Sequence, residues 1–171
     1  MIGYVVTTGQ GEGDGFLAGI AQALAASGLS LAGAIQSNYV FDPERRCHMD
    51  LTLLGSGQVI RISQDRGRHA RGCRLDAQGL AFAVGQVEAR LDRGEAALLI
   101  VNKFGKSELE GEGFRDVIGK ALVAGVPVLT TISPTARAGF LDFAGEFAVE
   151  LPPDMGTVLD WCLRQAAASA A

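Results

Sequence analysis

The sequence predicts one α/β domain over residues 1–171, three layers deep, with a mostly parallel central sheet and an inserted antiparallel hairpin. Three observations carry that expectation. Short β-branched runs alternate with segments of helical period along the whole chain, the order that yields right-handed crossovers and a parallel sheet. Residues 96–101, Ala-Ala-Leu-Leu-Ile-Val, are apolar at every position, as a strand covered on both faces must be. Two strand-like runs, residues 47–54 and 59–62, flank Gly55-Ser56-Gly57, whose glycines suit a tight hairpin.

In chain order, residues 2–7 form the first strand candidate and run into Gly9-Gln10-Gly11-Glu12-Gly13-Asp14-Gly15. Phe16, Leu17, Ile20, Ala21 and Leu24 then recur at helical spacing, with Ser27-Gly28 as the stop and residues 31–35 as a second strand. After the hairpin, residues 76–93 place Leu80, Val84, Val87 and Leu91 on one helical face and end at Gly94, which leads into the strand at 96–101. Residues 114–124 read as a helix and 126–132 as a buried strand, with Pro127 tolerable near its start. A short strand at 147–151 and a helix at 155–165 complete the chain, the alanine-rich tail being expected to fray. In such a sheet, ligands lie at the C-terminal ends of the strands.

Composition narrows the function classes. A net charge of −4 opposes binding of nucleic acid through the overall field, so a basic site has to be local. No apolar run approaches the roughly 18–20 residues that span a bilayer, and the N-terminus lacks a signal-peptide pattern, which points to a cytoplasmic protein without membrane insertion. Three cysteines, Cys47, Cys73 and Cys162, in a chain able to bury its own core argue for thiols rather than a disulfide framework.

A glycine-rich turn between strand and helix gathers backbone N–H groups at the positive end of the helix, an arrangement suited to phosphate. Gly9, Gln10, Gly11, Glu12, Gly13, Asp14 and Gly15 are therefore candidate nucleotide- or phosphate-binding residues. A competent Walker loop also needs a lysine for the terminal phosphates and a hydroxyl for magnesium, in the order G-x-x-x-x-G-K-[ST]. Laid on that pattern, Gly13 keeps the second glycine, but Asp14 stands at the lysine, Gly15 at the hydroxyl and Thr8 at the first glycine. A carboxylate facing a phosphate forfeits several kcal/mol of attraction unless a cation compensates it.

The chain resembles the small bacterial and archaeal P-loop nucleoside triphosphatases over most of its length, and less closely the molybdopterin-guanine dinucleotide biosynthesis adaptor. In those proteins a strand ends in Asp-Glu-x-Gly-x-Met-Glu before a helix and a Pro-Val-Leu strand. Here Asn102-Lys103-Phe104-Gly105-Lys106-Ser107-Glu108 precedes Phe114 and Pro127-Val128-Leu129. The hairpin with Asp50-Leu51 and Gly57 resembles theirs as well. Arg71 to Asp76 (Arg-Gly-Cys-Arg-Leu-Asp) and Val101 to Lys106 (Val-Asn-Lys-Phe-Gly-Lys) also match a bacterial domain family of unknown function associated with molybdenum transport or nitrogenase.

The resemblance implies that Asn102 and Lys103 occupy the two acidic positions of the partner motif, so that lysine and carboxylate have exchanged sides of the phosphate site. Either Asp14 and Lys103 form an ion pair that fills a dead site, or Lys103 supplies the phosphate-binding ammonium. Lys103 and Glu108 are the candidate catalytic residues, Glu108 either positioning water or capping the following turn. With the hydroxyl and both acids gone together, conventional magnesium-dependent hydrolysis is not expected.

Seven arginines between Arg45 and Arg74 concentrate positive charge, and Arg46, Arg71 and Arg74 are candidate ligands for an oxyanion such as molybdate, either that or a solvated face. Cys47 and Cys73, near His48 and His69, are candidate metal ligands, although their spacing fits no zinc pattern. The expected function is nucleotide or oxyanion binding on a degenerate P-loop scaffold, with a nucleotide, molybdate or Mg as the cofactors in question. The alternatives are an active nucleoside triphosphatase with a relocated lysine, or a cysteine-based metal- or oxyanion-handling partner protein. Apolar strands and an exposed hairpin leave a homodimer open.

Overall fold

The computed structural model describes residues 1–9, 11–39, 48–64 and 75–169. Its seven strands are β1 (Ile2–Val6), β2 (Leu31–Tyr39), β3 (His48–Leu53), β4 (Val59–Arg61), β5 (Leu98–Val101), β6 (Val128–Ile132) and β7 (Ala148–Leu151). The six α-helices are α1 (Glu12–Ala26), α2 (Ala77–Asp92), α3 (Lys106–Leu109), α4 (Arg115–Val123), α5 (Arg137–Ala144) and α6 (Met155–Ser169). The strands form one sheet in the order β4-β3-β2-β5-β6-β1-β7. Five run parallel, and β3 and β4 add the antiparallel edge that the glycine-centred hairpin predicts.

Each face of the sheet has its own core. Leu17, Ile20 and Leu24 of α1 meet Val158, Trp161 and Cys162 of α6 over one face. Over the other lie Ala83 and Val87 of α2, Val117 and Ile118 of α4, and Phe140 of α5. All four residues of β5 are buried, consistent with its unbroken apolar run. Phe104 and Phe140 stack edge to face at 5.1 Å and close the second core beneath the end of β5.

Local signals explain where elements begin and stop. The Asp76 carboxylate accepts the Gln78 N–H at 3.1 Å and caps α2, and Gly94 follows the helix with φ 68°. In the hairpin, Gly55 and Gly57 take φ values of 88° and 71°. Gly33 in β2 has φ 118°, and a Cβ there would lie 1.8 Å from the Ile100 carbonyl oxygen, so β2 and β5 approach too closely for any side chain.

The structure departs from the sequence expectation at several ends. Helix α1 begins at Glu12 rather than Phe16, because Gly11 adopts the left-handed conformation (φ 79°) that turns the chain into the helix. Strand β2 continues to Tyr39, paired with β3 beyond the end of β5. Helix α6 runs to Ser169, since Ala166 is buried and alanine is the strongest helix former. The short α3 and α5 carry too few turns for a periodic signal. No helix among the described residues is long and apolar enough to cross a membrane.

Candidate functional site

Because β1, β2, β5 and β6 are parallel, their C-terminal ends meet at one edge of the sheet. That edge assembles the glycine turn after β1, Gln36 and Asn38 of β2, Asn102 and Lys103 after β5, and Ser133 after β6. Beneath the turn, Thr131 Oγ1 donates to the Asn102 carbonyl at 2.7 Å, and Gly13 rests on that threonine. A Cβ on Gly13 would come within 2.9 Å of Thr131 Oγ1, so the glycine lets α1 sit down on the sheet.

The turn's positive end is answered by the chain's own carboxylates. Gly9 N–H donates to the Glu12 carboxylate at 2.8 Å. Asp14 accepts from Asn102 Nδ2 at 2.8 Å and from Asn38 Nδ2 at 3.1 Å. Both amides are held in turn: Asn102 Oδ1 accepts the Gln36 N–H at 3.1 Å, and Asn38 Oδ1 accepts from Gln36 Nε2 at 3.0 Å. Of the two readings of Asp14 and Lys103, the ion pair is not formed in this structure: Asp14 is held instead in a carboxylate–carboxamide network. Just past the end of β5, Asn102 is 7% exposed and turned toward the loop, while Lys103 is exposed. Lys103 makes no ion pair among the described residues.

Glu108 is 6% exposed and capped into place. Its two oxygens accept the backbone N–H groups of Gly105 at 2.9 Å and Phe114 at 3.1 Å, tying the start of α3 to the start of α4. Gly11 and Gly15 face open space. The residues of a magnesium–nucleotide site do not fit: Gly15 offers no hydroxyl, and Asn102 is a neutral amide whose oxygen is already engaged. Among the described residues, no group of three or more His, Cys, Asp or Glu is arranged to hold a metal ion.

Gln10, Arg46, Cys47, His69, Arg71, Cys73 and Arg74 lie outside the described residues. Cys162 is fully buried on α6, and burial pushes its thiol up to about 12. Sequence reasoning passed over Gln36, Asn38, Lys106, Ser133 and Thr135. The signal available for them was position alone, just before or after the end of a parallel strand.

The model of the family described as Protein of unknown function (DUF2478) matches residues 2–161. The chain belongs to that family. A relative 32% identical over 152 residues is the Molybdenum import ATP-binding protein ModC 2 of Bradyrhizobium diazoefficiens; the match takes in 89% of this chain and 17% of the relative. The chain thus spans less than a fifth of that relative's length. Among solved structures, THEP1 from the hyperthermophile Aquifex aeolicus superimposes with a TM-score of 0.64 at 17% identity, covering 96% of each chain. A human cancer-related nucleoside triphosphatase does so with a TM-score of 0.63 at 18% identity, covering 98% of this chain and 95% of its own. At such identities the likeness is one of fold, and this family member has the three-layer P-loop nucleoside triphosphatase fold.

Proposed function

We propose that this chain binds a nucleotide or another phosphate-like anion at the C-terminal edge of its parallel sheet, on a P-loop scaffold whose own lysine has been replaced. Lys103 provides the ammonium. The observation that carries this reading is the position of Lys103: exposed, in no ion pair among the described residues, and adjacent in sequence to Asn102, which holds the glycine turn through Asp14. An exposed cation at the end of β5, in no ion pair among the described residues, is the feature of this edge that attracts an anion. The names of the relatives, an ATP-binding protein of molybdenum import and a nucleoside triphosphatase, support nucleotides and molybdate as the ligands to try.

Magnesium-dependent hydrolysis is not part of the proposal, because Gly15 and Asn102 replace the groups that would hold the ion. Thermal denaturation against ATP, GTP, ADP, phosphate, molybdate and tungstate, with and without magnesium, tests it. A ligand at 100 times its Kd stabilises by about 2.7 kcal/mol, which raises the midpoint of a chain this size by roughly 5–10 °C. Lys103→Ala is expected to remove that rise. A rise of equal size in Lys103→Ala would refute the assignment of Lys103, and magnesium-dependent turnover lost in Lys103→Ala would establish an active enzyme with a relocated lysine instead.

A further inference from the structure

Lys103 and Lys106 border two clefts lined by different side chains. One, about 200 Å³ in volume, is floored by Leu51, Leu80 and Phe114 and has Asn102 at its polar end. The other, about 400 Å³, brings the hydroxyls of Ser133 and Thr135 alongside the same two lysines. Gly105 borders both, with the stem of Lys103 against it: a Cβ on Gly105 would lie 3.7 Å from Lys103 Cε.

We propose that the ligand is an organic phosphate ester rather than a bare oxyanion, a conclusion that rests on the Lys103 reading above. Its phosphate lies in the hydroxyl-lined cleft against Lys103, Lys106, Ser133 and Thr135, and its apolar or aromatic remainder crosses Gly105 onto Leu51, Leu80 and Phe114. Two features set this polarity. Lys103 and Lys106 reach both clefts, but the hydroxyls of Ser133 and Thr135 line only the second, where Glu110 is faced by Lys106 at 3.8 Å, and the apolar side chains of Leu51, Leu80 and Phe114 line only the first. The apolar cleft also has room for a ring, since an apolar cavity of about 150 Å³ already accommodates benzene. A bare phosphate or molybdate would leave that surface wet.

Isothermal titration of the full chain with inorganic phosphate, phenyl phosphate and phenol tests this. Phenyl phosphate is expected to bind at least about tenfold more tightly than phosphate, from the apolar area the ring removes from water. Leu80→Asn is expected to abolish that advantage and leave the phosphate Kd unchanged; if its melting midpoint shows that it fails to fold, Leu75→Asn in the same cleft takes its place. Ser133→Ala is expected to weaken both phosphates several-fold. Equal Kd values for phosphate and phenyl phosphate, both lost in Lys103→Ala, would overturn the ester and leave the anion site standing. Phenol binding as tightly as phenyl phosphate, or no binding of either phosphate, would overturn both.

Discussion

Replacing Glu108 by glutamine separates a capping role from a catalytic one. The carboxylate is buried, and each of its oxygens accepts one backbone N–H, from Gly105 at 2.9 Å and from Phe114 at 3.1 Å. Glutamine keeps one acceptor and turns an NH₂ group toward the other donor, so one charge-assisted bond is lost and a buried N–H is left unsatisfied. That costs about 2 kcal/mol, and Glu108→Ala, which uncovers both donors, costs about 4 kcal/mol. Little relaxation is available: the chain wraps so tightly that a Cβ on Gly113 would fall 2.3 Å from Glu108 Oε1. Urea unfolding at neutral pH measures these losses directly, and the glutamine variant's thermal midpoint should fall by roughly 4–8 °C. A Glu108→Gln protein within about 0.5 kcal/mol of wild type would refute the capping argument. Were that variant also to lose a turnover the wild type shows, Glu108 would belong to the chemistry.

Other outcomes follow from the same geometry. A double-mutant cycle of Asp14→Ala with Asn102→Ala, read by urea unfolding, should show about 1 kcal/mol of coupling, whereas Asp14→Ala with Lys103→Ala should show none beyond error; coupling in the second cycle would restore the ion pair. Gly33→Ala should cost more than about 3 kcal/mol, visible as loss of soluble protein or a collapsed midpoint, because its Cβ would overlap the Ile100 carbonyl at a positive φ. For Cys162, burial raises the thiol from 9 to about 12, so its contribution is fully present below pH 9 and is lost as pH rises through 12, a total of about 4 kcal/mol. Unfolding free energy measured from pH 8 to 11 should therefore fall more steeply in wild type than in Cys162→Ala. Tyr4, raised by burial and by its hydrogen bond to Glu150, adds a decline of the same sign above pH 10 in both proteins.

The architecture was legible in the residues because it rests on local periodicity and composition. The apolar run at 96–101 contains the central strand β5 at 98–101, Gly55 and Gly57 mark a turn, and Asp76 and Gly94 bracket a helix whose Val87 is buried where its period puts it. The glycine turn, with Asp14 directly after Gly13, was equally plain, since a motif is a matter of spacing. The partners of Asp14 were not. Its sequence separations from Asn38 and Asn102 are 24 and 88 residues, and only the register of β2 against β5 brings those amides to one carboxylate. Nor could the sequence tell which of two neighbours, Asn102 or Lys103, turns inward, because that is decided by the bond Asn102 makes to Asp14 across the sheet edge. Composition and spacing determined which chemical groups this protein has; the packing of one parallel sheet edge decided which of them meet, because contacts between distant residues depend on strand order and register rather than on any local pattern.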